Sequence, residues 1–197
     1  MRAFIGIALP DDVRTCLAQL QRHLATSGAD VKWVESAHVH VTLKFLDEMS
    51  QEQRRGVEAM MAEIARREAP FTMRLEHVGA FPSLEAPRVI WVGVAEGRDV
   101  VGRLAEIIER DAQAMGLRKE ARPFSAHATI GRVRSPRRRE ALAQLLRSTS
   151  WESPPPWRAT SVTLYESVLR PDGPDYTVLA ELPFVTRGNG SPLVTDN

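Results

Sequence analysis

The feature that most limits what this chain can fold into is the order of its extended and helical runs. Alternating apolar and polar residues mark RAFIGIAL, VKWV, HVHVTLKFL, FTMRLEHVGAF, RVIWVGV, FSAHATIGRV, WRATSVTLYESVLR and YTVLAELPF as strands. Apolar residues at helical spacing mark PDDVRTCLAQLQRHL, SQEQRRGVEAMMAEIARRE, VVGRLAEIIERDAQAMG and PRRREALAQLLRS as helices; Ser50 and Gln53 open the second as a capping box, and Gly116 closes the third. Strands outnumber helices and do not alternate with them strictly. That order argues against a doubly wound parallel sheet and predicts an α+β fold with mostly antiparallel strands and helices on the outer faces. A sheet covered on one side leaves its other side open, here as a central cleft.

At 197 residues with 43% hydrophobic and 26% charged side chains, the chain has the makings of a real core, and we expect one domain over 1–185 with a flexible tail over 186–197. The apolar run at the N-terminus breaks at Pro10, too short for a membrane span and without a cleavage site, so no membrane partner is expected. Cys16 is the one cysteine, which excludes an internal disulfide or a cysteine metal cage and fits a reducing cytoplasm. A net charge of +1 gives no global pull toward nucleic acid, although arginines gather between Arg132 and Arg139 as a loop and helix start. A monomer is expected.

Two strands carry more chemistry than folding needs. Residues 40–43 read His-Val-Thr-Leu and residues 127–130 read His-Ala-Thr-Ile. Strand alternation puts His40 with Thr42, and His127 with Thr129, on one face, while Val41, Leu43, Ala128 and Ile130 turn to the other. By the same period Val39 and Phe45 join the core, and His38 and Lys44 join the face of His40. An imidazole ionises near neutrality, so a pair can hold one base and one acid together, and two hydroxyls can donate to an oxyanion. In-line displacement at phosphorus needs a base on the water side and an acid on the leaving oxygen, which two strands from two lobes supply without a metal or other cofactor.

At these residues the chain resembles the two-histidine phosphoesterases, and within them the RNA 2′,3′-cyclic phosphodiesterases, also called 2′-5′ RNA ligases. The likeness runs from Met1 to about Phe184 and includes MRAFIGIALP, VKWV, FPSLEAPRVIWVGV, RPFSAHATIGRV and LYESVLRPDGPDY. His38 and Ala126 depart from the family pattern, which expects asparagine and proline there. The resemblance implies a two-lobed, pseudo-two-fold enzyme that opens RNA 2′,3′-cyclic phosphate ends to 2′-phosphomonoesters and can run backwards as a 2′-5′ ligase. His40 would be the general acid, His127 the general base, and Thr42, Thr129 and Arg132 the phosphate contacts. Strict alternation puts Arg132 on the face opposite His127, so its role requires a bend or bulge.

Other readings compete. His38 and His40 with a distant third histidine would make a zinc site, though that leaves both threonines unexplained. A small cyclic nucleotide or an ADP-ribose-derived cyclic phosphate would use the same four residues as an RNA end, a tRNA fragment for example. A protein that only binds RNA ends would show no turnover. His23 and His77 read as structural or solvent-facing, and Trp33, Trp91, Trp151 and Trp157 as core or rim.

Overall fold

Antiparallel pairing runs almost unbroken through the computed structural model, which describes residues 1–170 and 174–185. The strands are β1 (Arg2–Ala8), β2 (Val31–Trp33), β3 (His40–Glu48), β4 (Phe71–Phe81), β5 (Val89–Glu96), β6 (His127–Val133), β7 (Trp157–Ala159), β8 (Ser161–Leu169) and β9 (Pro174–Pro183). The helices are α1 (Asp11–Ala25), α2 (Gln51–Arg67), α3 (Arg98–Ala114) and α4 (Arg139–Ser148), with a short 3-10 turn at Ser36–His38. The sheet order is β7-β4-β5-β6-β3-β1-β8-β9, with β2 added to β6. The α+β expectation therefore holds, and each motif strand stands at the middle of the sheet, heading one half. The expected tail and the tip of the last hairpin lie outside the described residues.

The two halves meet at a single recorded pairing, Val41 opposite Ala128. Both side chains are fully buried on the helix side, within a core that also holds Ile5, Leu17, Ile90, Val92, Leu104 and Ile108. Burial of this kind is worth about 25 cal/mol per Å² of apolar surface, and it holds the helices against one face only. The helices cross over: α1, which follows β1, packs under β6, and α3, which follows β5, packs under β3. Each half thus supports the other's motif strand from behind. The capping box opens α2 as expected, with Ser50 Oγ accepting from the Gln53 amide and Gln53 Oε1 accepting from the Ser50 amide.

Three sequence expectations need correction. The run WRATSVTLYESVLR is not one strand; it breaks at Thr160, whose carbonyl accepts from the Phe184 amide at 2.8 Å, so that β7 pairs with β4 in one half and β8 with β1 in the other. His38 lies in the 3-10 turn rather than in β3. Lys44 and Phe45 exchange faces, because Leu43 is an extra residue between Thr42, opposite Gly6, and Lys44, opposite Ile5. A bulge of one residue reverses the pleat beyond it. Lys44 is consequently 4% exposed, with its Nζ 2.5 Å from Glu109 Oε2 of α3, and Phe45 is 52% exposed on the open face. Among the described residues no helix is long and apolar enough to cross a membrane.

Candidate active site

The pairing of Val41 with Ala128 determines where the chemistry lies. In an antiparallel pair, opposed side chains share a face and their neighbours share the other. One step out from that pair, His40 falls opposite Thr129 and Thr42 opposite His127. The four residues occupy the corners of a square on the open face, histidines on one diagonal and threonines on the other. Diagonal neighbours across such a ladder stand roughly 7–8 Å apart, a gap wide enough for a phosphoryl group.

Both histidines are oriented by the same local device. His40 Nδ1 lies 2.7 Å from the carbonyl of His38, and His127 Nδ1 lies 2.7 Å from the carbonyl of Ser125. A carbonyl only accepts, so each Nδ1 carries its proton and donates it, and each Nε2 is the atom left for chemistry. The 3-10 turn that removed His38 from the strand is what presents its carbonyl to His40.

The surroundings of the two rings differ. His40 stacks on Phe4, with centroids 4.4 Å apart and planes 19° apart, and meets Tyr176 edge-on at 5.5 Å. Tyr165 stacks on the far side of Phe4 at 4.9 Å. Gly6 makes room for this ring: a Cβ there would stand 3.3 Å from His40 Cδ2 and 3.0 Å from the Val41 carbonyl. Burial in that aromatic box pushes the His40 pKa down to about 4, despite the hydrogen bond to His38. His127 meets Phe81 edge-on at 5.2 Å and Trp91 at 6.0 Å. Its pKa is lowered by burial first and by the charge of Arg132 as well.

Arg132 reaches this face through a bulge. Gly131 pairs with Ile90 and Thr129 with Trp91, so Ile130 is the extra residue, and beyond it Arg132 shares the side of His127 and Thr129. The guanidinium acts on Tyr176 of the other half too, opposing the rise that burial imposes on that phenol. Gln21 of α1 holds the bulge: its Nε2 donates to the Ile130 carbonyl at 2.8 Å and to the Val34 carbonyl at 2.7 Å. Leu43 and Ile130, the fourth residues of the two tetrapeptides, are thus both bulges.

Of the residues expected at the site, His40, Thr42, His127, Thr129 and Arg132 come to one face. His38 contributes its carbonyl, and its ring faces Tyr176 at 4.9 Å. Among the described residues no three histidine, cysteine, aspartate or glutamate side chains gather as a metal would require. His23 meets Thr149 on the helix side and His77 sits exposed in β4. Of the four tryptophans, Trp91 departs from the core or rim reading by lying beside His127. Phe4, Tyr165, Tyr176 and Gln21 belong to the site and were not anticipated. A signal for Phe4 was present: Phe-Ile-Gly-Ile-Ala at 4–8 recurs as Trp-Val-Gly-Val-Ala at 91–95, at the offset that separates His40 from His127. A cavity of about 270 Å³ opens beside His40, lined by Arg14, His38, Tyr165, Tyr176 and Glu181. A larger hollow of about 450 Å³ lies elsewhere, among His77, Gly97 and Arg98, and neither motif histidine lines it.

Comparison with known proteins agrees with this duplicated construction. The family model described as LigT like Phosphoesterase matches the chain twice, over residues 7–91 and 92–176. The chain is 33% identical over 177 residues to the RNA 2′,3′-cyclic phosphodiesterase of Methanothermobacter thermautotrophicus, covering 90% of this chain and 95% of that one. It is 34% identical over 177 residues to the protein of the same name from Archaeoglobus fulgidus, covering 89% and 96%. The crystal structure of TT0787 of Thermus thermophilus superposes with a TM-score of 0.79 at 28% identity, covering 95% of this chain and 100% of that chain.

Proposed function

The chain belongs to the LigT-like phosphoesterase family, and on that premise we propose that it hydrolyses RNA 2′,3′-cyclic phosphate ends to 2′-phosphomonoesters. The observation that carries the reading is the square of His40, Thr129, His127 and Thr42 about one antiparallel pairing, with both Nε2 atoms available on opposite corners. The cyclic phosphate sits at the centre. His127 Nε2 takes a proton from a water on its side, the water oxygen bonds to phosphorus, the P–O3′ bond breaks, and His40 Nε2 gives its proton to O3′. One water is consumed, and the histidines exchange protonation states and reset through solvent.

His40 is the acid in this scheme because the leaving oxygen belongs to a ribose, and the cavity that a nucleoside can enter adjoins His40. The approaching phosphate anion favours the charged imidazolium and so raises the His40 pKa from its low starting value. Thr42 and Thr129 donate to the non-bridging oxygens, and Arg132 adds a charged donor where negative charge grows. Side chains account for every proton moved, so the reaction is expected to proceed in EDTA. Reverse attack by a 5′ hydroxyl would give a 2′-5′ linkage. Cellular RNA ends, tRNA fragments among them, are the proposed substrates, met by a monomer in the cytoplasm, where the thiol of Cys16 stays reduced.

The test is incubation of the purified protein in EDTA with a short RNA ending in a 2′,3′-cyclic phosphate, beside His40→Ala and His127→Ala. Conversion to the 2′-phosphate by wild type, with either variant slower by about 10²–10⁴-fold, is the expected result. A 3′-phosphate product, or full activity of His127→Ala, would overturn it.

A further inference from the structure

In-line attack divides the space around the phosphate. Water enters on the His127 side, so the ribose whose O3′ departs must extend on the His40 side, and its base with it. The cavity of about 270 Å³ lies on that side, lined by Tyr165, Tyr176 and His40 itself. Its volume suits a nucleoside. Two opposite charges stand in it. Glu181 of β9 is anchored by Ser161 Oγ, which donates to its Oε1 at 2.8 Å, and a carboxylate still has lone pairs to offer on both oxygens. Arg14 of α1 has a buried Nε that makes no hydrogen bond among the described residues, and its terminal nitrogens reach only the exposed Asp11, at 3.4 Å. Both charges are close enough to Tyr165 to act on its phenol.

We propose that this cavity is a base-reading subsite that selects guanine at the RNA end carrying the cyclic phosphate. The inference rests on the hydrolase reading above. Guanine presents adjacent N1–H and N2–H donors, which a carboxylate accepts as a pair, and O6 and N7 acceptors, which a guanidinium fills as a pair. Adenine turns the lone pair of N1 toward the carboxylate, and uracil and cytosine lack the N7 acceptor that guanine offers to Arg14. A polar group that the wrong base covers and leaves unpaired is what makes such a site selective. Tyr165 and Tyr176 supply aromatic surface to the purine, and Arg14 and Glu181 supply its identity.

The test compares four dinucleotide 2′,3′-cyclic phosphates that differ only in the terminal base, with calorimetric titration of guanosine 2′-phosphate against adenosine 2′-phosphate. Wild type is expected to favour the guanosine end by about ten-fold or more in kcat/KM. Glu181→Gln and, independently, Arg14→Lys are expected to abolish that advantage through KM, with the guanosine substrate losing more than the uridine one. Equal turnover of all four by wild type would overturn the subsite and leave the hydrolase standing. No turnover of any of the four would overturn the hydrolase, and the titration would then decide the subsite alone: tighter binding of guanosine 2′-phosphate upholds it, and equal binding removes it.

Discussion

The half of the site around His40 and the half around His127 share a backbone plan and differ in lining. Each has an imidazole tied through Nδ1 to the carbonyl two residues before it, a threonine two residues after, and a bulge at the next position. Their registers differ by two residues: Gly6 lies opposite Thr42, whereas Gly93 lies opposite His127. A slip of two keeps every side chain on its face but moves the aromatic that precedes the glycine. Phe4 therefore lies under His40, while Trp91 lies beside Thr129 and more distantly from His127. After the bulge, one half places Phe45 on the open face and the other places Arg132. The repeated part positions protons, and the divergent part decides how readily each imidazole accepts one.

Breaking the repeated part should have the largest effect. His40→Ala combined with His127→Ala should be scarcely slower than either single change, because the two act as a unit; steady-state rates on a cyclic-phosphate RNA check this, and multiplicative losses would mean that the halves work independently. Next comes the divergent part. Arg132→Gln should slow turnover by about 10–100-fold and raise the His127 pKa, since it removes the charge that lowers it alongside burial; NMR titration of the ring proton reads the second effect directly. Tyr176→Ala should open the box and move the His40 pKa from about 4 back toward 6.5 in the same experiment.

The pH dependence sharpens the comparison further. Both imidazoles are depressed in the free protein, so both limbs of the kcat/KM profile should lie below pH 6.5, and the kcat profile should shift to higher pH once the phosphate anion is bound. Stability follows the same group. A histidine neutral in the fold and more basic when unfolded contributes its full stability above pH 6.5 and loses it as pH falls toward 4, because the unfolded chain then binds the extra proton. Urea titrations should show wild type losing roughly 2–3 kcal/mol more than His40→Gln across that window. The smallest effect expected is from Gln21→Leu, which frees the Ile130 bulge: a loss of about 1–3 kcal/mol, with a modest fall in kcat that tracks the displacement of Arg132. Unchanged kcat there would mean that the bulge holds without its glutamine.

What could be read from the sequence was whatever depends on strict period. The tetrapeptides, the helices and the capping box of α2 all follow from spacing alone. The requirement for a bulge before Arg132 was also visible, as a conflict between its expected partner and its parity. What could not be read was wherever one unpaired residue resets the period. Leu43 looks like any strand leucine, yet it sends Lys44 into the helix layer to meet Glu109, whose carboxyl burial alone would raise but whose hydrogen bonds from Lys44, the Glu120 amide and Gln113 keep low. Tyr165 and Tyr176 were missed for a different reason. They arrive from the far end of the chain, and only the break at Thr160, invisible in an otherwise continuous β run, sends β8 back to β1.

That return has a consequence for how the protein comes into being. β1 lies between β3 and β8, and β9 in turn covers β8, so the half that carries the first motif is closed by the last strands described. During synthesis from the N-terminus, β1 and β3 are made early, but β1 keeps an open edge until the chain beyond residue 161 is available. The box around His40 cannot assemble before then, because Tyr165 and Tyr176 are part of it. In the second half the groups around His127, namely Phe81, Trp91 and Arg132, are all made by residue 132, although β4 waits for β7 at 157–159 to cover its edge. A nascent chain of this protein therefore gains the surroundings of His127 first and those of His40 last, and an unfinished copy has an exposed strand edge for chaperones to shield.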